Sequence, residues 1–481
     1  MRDLAQRALD LAQTQGTTYA DVRIVEQQIQ SIAVKNGVIE RLAQNASLGF
    51  GVRVVVDGAW GFAASAGLAP KEIDRVTAEA VRIARASARV KNANVDLGWP
   101  EVHQGHYQTP VRRDPFSVSL EDKIELLLAA DEAMRRVPGL TVARSNLEFL
   151  RERKVFASTE GSFIEQEIVE SGAGLEATAT AGGEVQKRSY PNSFGRHQGT
   201  AGWEFIESMA LIEHAPRLAE EAVALLTARP CPSGVTTIIL DGTQTALQVH
   251  ESCGHPIELD RVLGYEASYA GTSFLTVDKL GHFRYGSEHV NLTADATIPG
   301  GLGTFGFDDE GVPAQRTPIV RNGIFVGYLT SRETARAIGQ SRSNGTMRAS
   351  SWNRIPLIRM TNINLEPGTW KLNDLIADTD DGIFMAVNRS WSIDDRRLNF
   401  QFGTEIAWEI KGGKLGQMLK NATYTGITPQ FWASCDAICG PAEWVVWGTP
   451  NCGKGQPSQL SHVGHGAAPA RFRNVQVGIL R

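Results

Sequence analysis

The chain has 481 residues, 42% of them hydrophobic and 21% charged, with a formal net charge of −5. This composition excludes a disordered chain and leaves room for two or three domains, each with its own core. It also excludes the electrostatic footprint of a nucleic-acid binder, and no apolar stretch approaches the roughly 20 residues needed to span a bilayer.

Leu4, Ala8, Leu9, Leu11 and Ala12 form one apolar stripe, which predicts a first helix stopping at Gly16. Met1 to Arg7 carry charge where a secretory leader needs an apolar centre, and the five cysteines are scattered and odd in number. Both features point to a reducing, cytoplasmic location without a disulfide framework. Alternating segments from Tyr19 to Val34 and Val38 to Ala64, with Asn36-Gly37 and Asp57-Gly58 as turns, predict an antiparallel meander rather than a parallel nucleotide-binding sheet. A helix is expected over Lys71 to Arg85, then a polar stretch to Phe116. Ser119-Leu120-Glu121-Asp122 resembles a capping-box start for a helix reaching Arg136. More alternating strands from Leu140 to Tyr190 and a helix from Glu204 to Ala228 complete this half. The order helix, strands, helix occurs twice, with no residue-level repeat to support a duplication. The basic clusters Arg151 to Lys154 and Arg396-Arg397 read as solvated charges on strand edges.

Arg229-Pro230-Cys231-Pro232-Ser233-Gly234 is the best boundary, dividing the chain into domains 1–230 and 231–481. Beyond it lie a strand from Val235 to Leu240, a helix beginning after Asp241-Gly242, hairpin turns at Asn322-Gly323 and Gly412-Gly413, and one obvious short helix near Glu333 to Ile338. The fold class expected is α+β: an N-terminal domain of helices with antiparallel sheet, and a mostly β C-terminal domain carrying a metal-binding helix.

That helix ends in His250-Glu251-Ser252-Cys253-Gly254-His255, an HExxxH motif. Two neutral imidazoles can hold a Zn²⁺ ion, and a carboxylate beside them can take a proton from water, as in the shorter HExxH motif. The extra residue matters, because an i,i+5 pair on a regular α-helix lies about 140° apart and cannot grip one ion. A π-type turn would restore a common face, and Gly254 and Pro256 mark where the helix could loosen. A catalytic zinc usually has three protein ligands. Nearby Cys253, Glu258 and Asp260 are candidates, Glu258 and Asp260 alternatively as supporting partners or as plain solvated carboxylates. The distal candidate is Cys452, flanked by Gly and Pro as if presented from a tight loop, with Lys454 able to favour its thiolate.

The run His250 to Arg261 resembles the signature of the TldD/PmbA family, also described as modulators of DNA gyrase, whose TldD-type members are metallopeptidases. Thr297-Ile298-Pro299-Gly300, Gly306 to Pro313, Gly412-Gly413-Lys414, Lys420 to Thr423 and Cys452-Gly453-Lys454-Gly455-Gln456 resemble the same family's C-terminal domain in the same order. The likeness spans Val235 to the C-terminus; the first 230 residues agree only in length and coarse pattern. It implies His250, His255 and Cys452 as metal ligands, one Zn²⁺ per active chain, and Glu251 as general base. It also implies short or unfolded peptides as substrate, and a dimer with an identical chain or a metal-free paralogue. Other readings remain open at this point, a non-catalytic peptide-binding subunit or a metal-dependent amidase. Val463-Gly464-His465-Gly466 departs from the Gly-Gln-rich segment expected there. His462 and His465 therefore have no role by resemblance, although one of them could stabilise an oxyanion. Cys435, Cys439, Cys452, His462 and His465 are alternatively a separate structural zinc cluster, for which the C-x-x-x-C spacing is loose. Gly301 to Gly306 matches GxGxxG without the strand-to-helix setting of a phosphate cradle.

Overall fold

The computed structural model describes residues 1–478. Its first half runs α1 (Arg2–Thr14), β1 (Tyr19–Lys35), β2 (Val38–Val56), β3 (Ala59–Ser65), α2 (Pro70–Ser87), β4 (Gln104–Gln108), α3 (Leu120–Arg135), β5 (Leu140–Ser158), β6 (Phe163–Ala181), β7 (Glu184–Tyr190), β8 (His197–Gly199), α4 (Trp203–Ser208) and α5 (Leu211–Thr227). The strands form one sheet in the order β3-β2-β1-β5-β6-β4, with β7 and β8 also pairing with β6. The expected meander is present. Asn36 and Gly37, and Asp57 and Gly58, all take positive φ at the two turns, as two-residue hairpin loops require. Ala8, Leu9, Val76 and Ala80 of the first helix pair pack on Val22, Ile24, Val52 and Val54. Leu127, Ala130, Leu218 and Ala222 of the second pair pack on Leu147, Phe149 and Leu175.

Two expectations for this half need correction. The polar stretch before Phe116 contains β4, which pairs parallel with β6; a short edge strand of polar residues has no alternating apolar face to reveal it. The helix expected over Glu204 to Ala228 is two helices, parted at Ala210 in a left-handed conformation (φ 47). Pro216 lies inside the second helix, Leu211–Thr227, and does not set the break, which falls at the left-handed Ala210.

The second half contains β9 (Gly234–Leu240), α6 (Gly242–Val249), β10 (Asp381–Ile393), β11 (Asn399–Lys411), β12 (Thr423–Ile427), β13 (Val445–Lys454), β14 (Gln459–Ala467) and β15 (Ala470–Val477). Pairing runs β10-β9-β15-β12-β11 and returns from β11 to β10, so these five strands close into a ring. A smaller sheet orders Ile324–Phe325, Arg316–Arg321, Leu292–Asp295 and Ile363–Leu365, while β13 and β14 form a separate hairpin. Hairpins turn at Asn322-Gly323 and Gly412-Gly413 as expected. Short helices are more numerous than expected. Besides Arg332–Ala337 there are Leu259–Val262, Ala267–Ala270, Leu372–Ala377 and Thr428–Ala433, each too short for a periodic stripe.

Buried ion pairs lace the halves together. Asp309 faces Lys154 at 2.8 Å and Arg23 at 3.5 Å, Glu310 faces Arg53 at 3.3 Å, and Glu405 faces Arg188 at 3.0 Å. Lys154 is thus a buried partner of Asp309, and not the solvated strand-edge charge expected. The GxGxxG run is a packed loop: Gly303 lies against the Thr361 backbone and Gly306 against Tyr107. No helix among the described residues is long and apolar enough to cross a membrane.

Candidate metal centre

The helix that carries the motif is pinned at its start and along its buried face. Asp241 caps it, accepting from the Gln244 N–H at 2.8 Å, which satisfies one of the open donors of a first turn. Gln244 and Gln248 both bond the Tyr424 hydroxyl of β12, at 2.9 and 3.0 Å. After Val249 the helix widens into a π turn over His250–Gly254, closed by the His255 N–H to the His250 carbonyl at 3.3 Å. This is the turn that the i,i+5 spacing demanded. The Ser252 carbonyl accepts from the Tyr285 hydroxyl and its Oγ from Trp432 Nε1, both at 2.9 Å. Gly254 is needed for packing, since a Cβ there would lie 2.3 Å from Met360 Sδ.

The wide turn brings the imidazoles of His250 and His255 to 5.0 Å between ring centres. Cys452 approaches from near the end of β13, just past an irregularity in its pairing with β14, so a strand and not a loop presents the thiol. One donor atom each from His250, His255 and Cys452 lies within 4.8 Å of the others, and all three residues are buried. The Cys452 Sγ to His255 Nε2 distance is 3.8 Å. Ligands at Zn–N and Zn–S bond lengths, subtending a tetrahedral angle at one ion, would be roughly 3.6 Å apart, so the three residues fit a zinc ion.

Hydrogen bonds around the cluster fix which ring nitrogen faces it. His465 Nδ1 is 3.3 Å from the Ile363 carbonyl and must donate to it, which leaves His465 Nε2 to accept from His250 Nδ1 at 2.7 Å. His255 Nδ1 donates to Glu258 Oε2 at 3.0 Å. Each chain leaves an Nε2 lone pair for a metal. His465 therefore orients the His250 ring, with its own N–H directed at the Ile363 carbonyl. Glu258 is fully enclosed, as is Lys454, whose Nζ lies 3.4 Å from Glu258 and 2.7 Å from Asp260. The reading of Glu258 and Asp260 as solvated carboxylates fails. Lys454 serves these two acids; the cation nearest the cysteine is Arg359, which donates to the Cys452 carbonyl at 2.6 Å. Burial opposes the Cys452 thiolate, but His250, His255 and Arg359 outweigh it and hold the thiol well below its usual range. Burial likewise lowers His255 well below the normal imidazole value, which keeps its nitrogen lone pair available.

Glu251 is nine-tenths buried or more and points its Oε1 to 4.0 Å from His250 Nε2. Its Oε2 accepts from Arg397 Nη1 at 2.5 Å. Arg397, expected as a solvated strand-edge charge, is instead a half-buried partner of the motif carboxylate. Arg397 sits in the turn between β10 and β11 with φ 62, in the left-handed region that is uncommon for a non-glycine residue. A cavity of about 160 Å³ opens over His250, Glu251 and Cys452 and is walled on its far side by Asn192, Phe194 and Arg196 of the N-terminal half.

The other candidate constellations do not assemble. Cys435 and Cys439 are buried among apolar residues, with burial pushing both thiols up to about 12. His462 pairs with Glu170 at 2.5 Å. Cys253 is enclosed in the core with its thiol also raised to about 12 by burial.

The chain matches three family profiles: PmbA/TldA metallopeptidase domain 1 over residues 20–84, the central domain over 113–229 and the C-terminal domain over 233–478. It is 32% identical to a metalloprotease of Methanocaldococcus jannaschii, over 94% of this chain and 95% of that one. It is 26% identical to a metalloprotease TldD homologue of Haemophilus influenzae, over 98% and 94%. A zinc metalloprotease TldD homologue of Saccharolobus solfataricus is 27% identical over 41% of this chain and 42% of its own length. In fold, the chain superimposes on a crystal structure from Thermotoga maritima called a modulator of a DNA gyrase with a TM-score of 0.79, at 18% identity, covering 99% and 100%. TldE from Thermococcus kodakarensis superimposes with a TM-score of 0.76, at 16% identity, over 99% and 100%.

Proposed function

The chain belongs to the PmbA/TldA metallopeptidase family, and from that premise we propose that it is a zinc peptidase cleaving short or unfolded peptides, with His250, His255 and Cys452 as ligands and Glu251 as general base. The observation that carries this reading is the convergence of two oriented Nε2 atoms and one thiol, all buried, beside a carboxylate held by Arg397. When bound, one zinc ion per chain would supply Lewis acidity to a substrate carbonyl and to an attacking water. Glu251 then accepts the proton of that water and delivers it to the leaving amine. Arg397 keeps the Glu251 carboxylate aimed at the cleft while the proton is held. His465 and Glu258 hold the two imidazoles in the tautomer that binds metal.

A peptide could be held in the cleft as an added strand, an arrangement that reads main chain more than side chains. Val38, Ile39 and Leu42, exposed at one end of the β1–β2 hairpin, suit a dimer with an identical chain or with a metal-free paralogue of the same fold. The described cysteines are all free, in keeping with a reducing cytoplasm. Glu251→Gln tests the assignment. It should keep its zinc and lose turnover of an unstructured peptide library by a factor of 100 or more, on the order expected for removing a general base; unchanged turnover would remove Glu251 from the mechanism.

A further inference from the structure

The loop from Asn192 to Arg196 carries two left-handed residues in succession and is tied to β5 at its far end. Asn192 Oδ1 accepts from the Ser193 N–H at 2.7 Å, and Asn146 Nδ2 donates to the Gly195 carbonyl at 2.8 Å. Phe194 has φ 61 and Gly195 φ 55. A Cβ at Gly195 would lie 2.6 Å from the Leu175 carbonyl oxygen, so only glycine fits. Just beyond, His197 Nδ1 accepts from the Gly448 N–H at 3.3 Å and its ring sits 4.9 Å from Trp447. That contact ties the loop to β13, the strand that also carries Cys452.

The strained and pinned backbone presents two side chains to the cleft. Phe194 meets Trp391 edge to face at 5.9 Å, and both rings remain substantially exposed, at 42% and 44%. Arg196 lines the same cavity as His250, Glu251 and Cys452. Among the described residues its guanidinium makes no hydrogen bond and no ion pair, although the more exposed Arg113 and Arg136 both find carboxylates. From Phe194 and Arg196 a second cavity of about 340 Å³ continues across the N-terminal sheet, lined by Arg41, Arg144, Lys187 and Arg196 together with Glu148 and Glu176, while Glu40 pairs with Arg144 at 2.8 Å. Glu176 is already engaged by Arg144 and Lys187. A rigidly presented, unpaired guanidinium beside a positive trough is built to receive a carboxylate through two parallel hydrogen bonds.

We propose that Arg196 is the carboxylate anchor of the substrate cleft, so that the preferred peptides bring a carboxylate, from the chain end or from an Asp or Glu side chain, to the positive trough beside the metal centre. This rests on the peptidase reading for its biological meaning, but binding can be measured without turnover. Isothermal titration of the full-length Glu251→Gln protein with pentapeptides that differ only in a free or amidated C-terminus, or only in Glu against Gln, provides the test. Carboxylate-bearing peptides should bind at least about ten-fold tighter, as expected for a charge-assisted pair. A preference for the free acid identifies the chain end, and a preference for Glu identifies the side chain. Either preference should vanish in an added Arg196→Gln and return in part with Arg196→Lys. Equal binding of all four peptides, or a preference undiminished in Arg196→Gln, overturns the proposal. In the wild-type background, the loss on Arg196→Gln should fall on KM rather than kcat. Absence of turnover together with carboxylate-selective binding would refute the peptidase reading and leave the anchor standing.

Discussion

Replacing Lys454 by Met tests how the proposed metal ligands are held from behind. Lys454 has no exposed surface, and its Nζ donates to Asp260 Oδ1 and to the Ile358 carbonyl, each at 2.7 Å, while facing Glu258 Oε2 at 3.4 Å. Glu258 Oε1 has no hydrogen-bond partner, so Lys454 is the main compensation for a carboxylate that also orients His255. Methionine preserves the volume and removes the charge, leaving two acids enclosed together. Breaking a buried pair in this way costs about 3–5 kcal/mol, which for a domain of this size lowers the melting midpoint by roughly 6–20 °C. The His255 ring also loses its fixed support, so zinc affinity should fall about 10- to 100-fold. Calorimetry gives the first number and competition with a chromogenic chelator the second. Adding Asp260→Asn to Lys454→Met should restore part of the stability, because it removes one of the stranded charges. Zinc affinity within twofold of wild type and a midpoint within about 2 °C would refute the claim that this buried triad supports the site.

Arg397→Met should lower kcat about 10- to 100-fold by freeing Glu251 from the guanidinium that holds it, with zinc content unchanged; a kcat within twofold of wild type would make the contact incidental. His197, which burial pushes down to about 4, sets a pH dependence. Its folded value lies below the unfolded one near 6.5, so its contribution is complete above pH 6.5 and is lost as pH falls through 4. The loss amounts to about 3 kcal/mol. Melting scans of chelator-treated protein between pH 7 and 4 should therefore show a flatter acid limb for His197→Asn than for wild type, and parallel limbs would contradict the assignment.

The sequence announced the parts of this protein whose causes are local. The turns at Asn36-Gly37 and Asp57-Gly58, the Ser119 cap, whose side chain accepts from the Asp122 N–H at 3.0 Å, and the π turn implied by the five-residue step from His250 to His255 all follow from neighbouring residues. Cys452 could be assigned from sequence only through a family likeness, since the step that brings it to His255 is the pairing of β13 with β14 and their packing in three dimensions. Arg397 had no local signal whatever. The basic pair Arg396-Arg397 reads as solvated charge on a strand edge, and only the closure of β10 onto β11 places the guanidinium on Glu251. Lys154 and the acidic run Asp308 to Glu310 were opaque for the same reason, being charges that find one another across the boundary between the two halves. His465 stood in a segment that departed from the expected pattern, yet its ring completes the hydrogen-bond chain behind His250.

The peptidase proposal requires that three residues, two of them in a widened helical turn and one on a distant strand, hold a single catalytic ion. Elemental analysis of purified wild-type and Cys452→Ser proteins, with digestion of an unstructured peptide library by the same samples, measures this directly. About one zinc per chain and peptide cleavage in the wild type, both lost in Cys452→Ser, is the result predicted from the ligand count of a catalytic zinc site. Unchanged zinc content in Cys452→Ser, or a wild-type protein that neither retains nor takes up zinc, would contradict it.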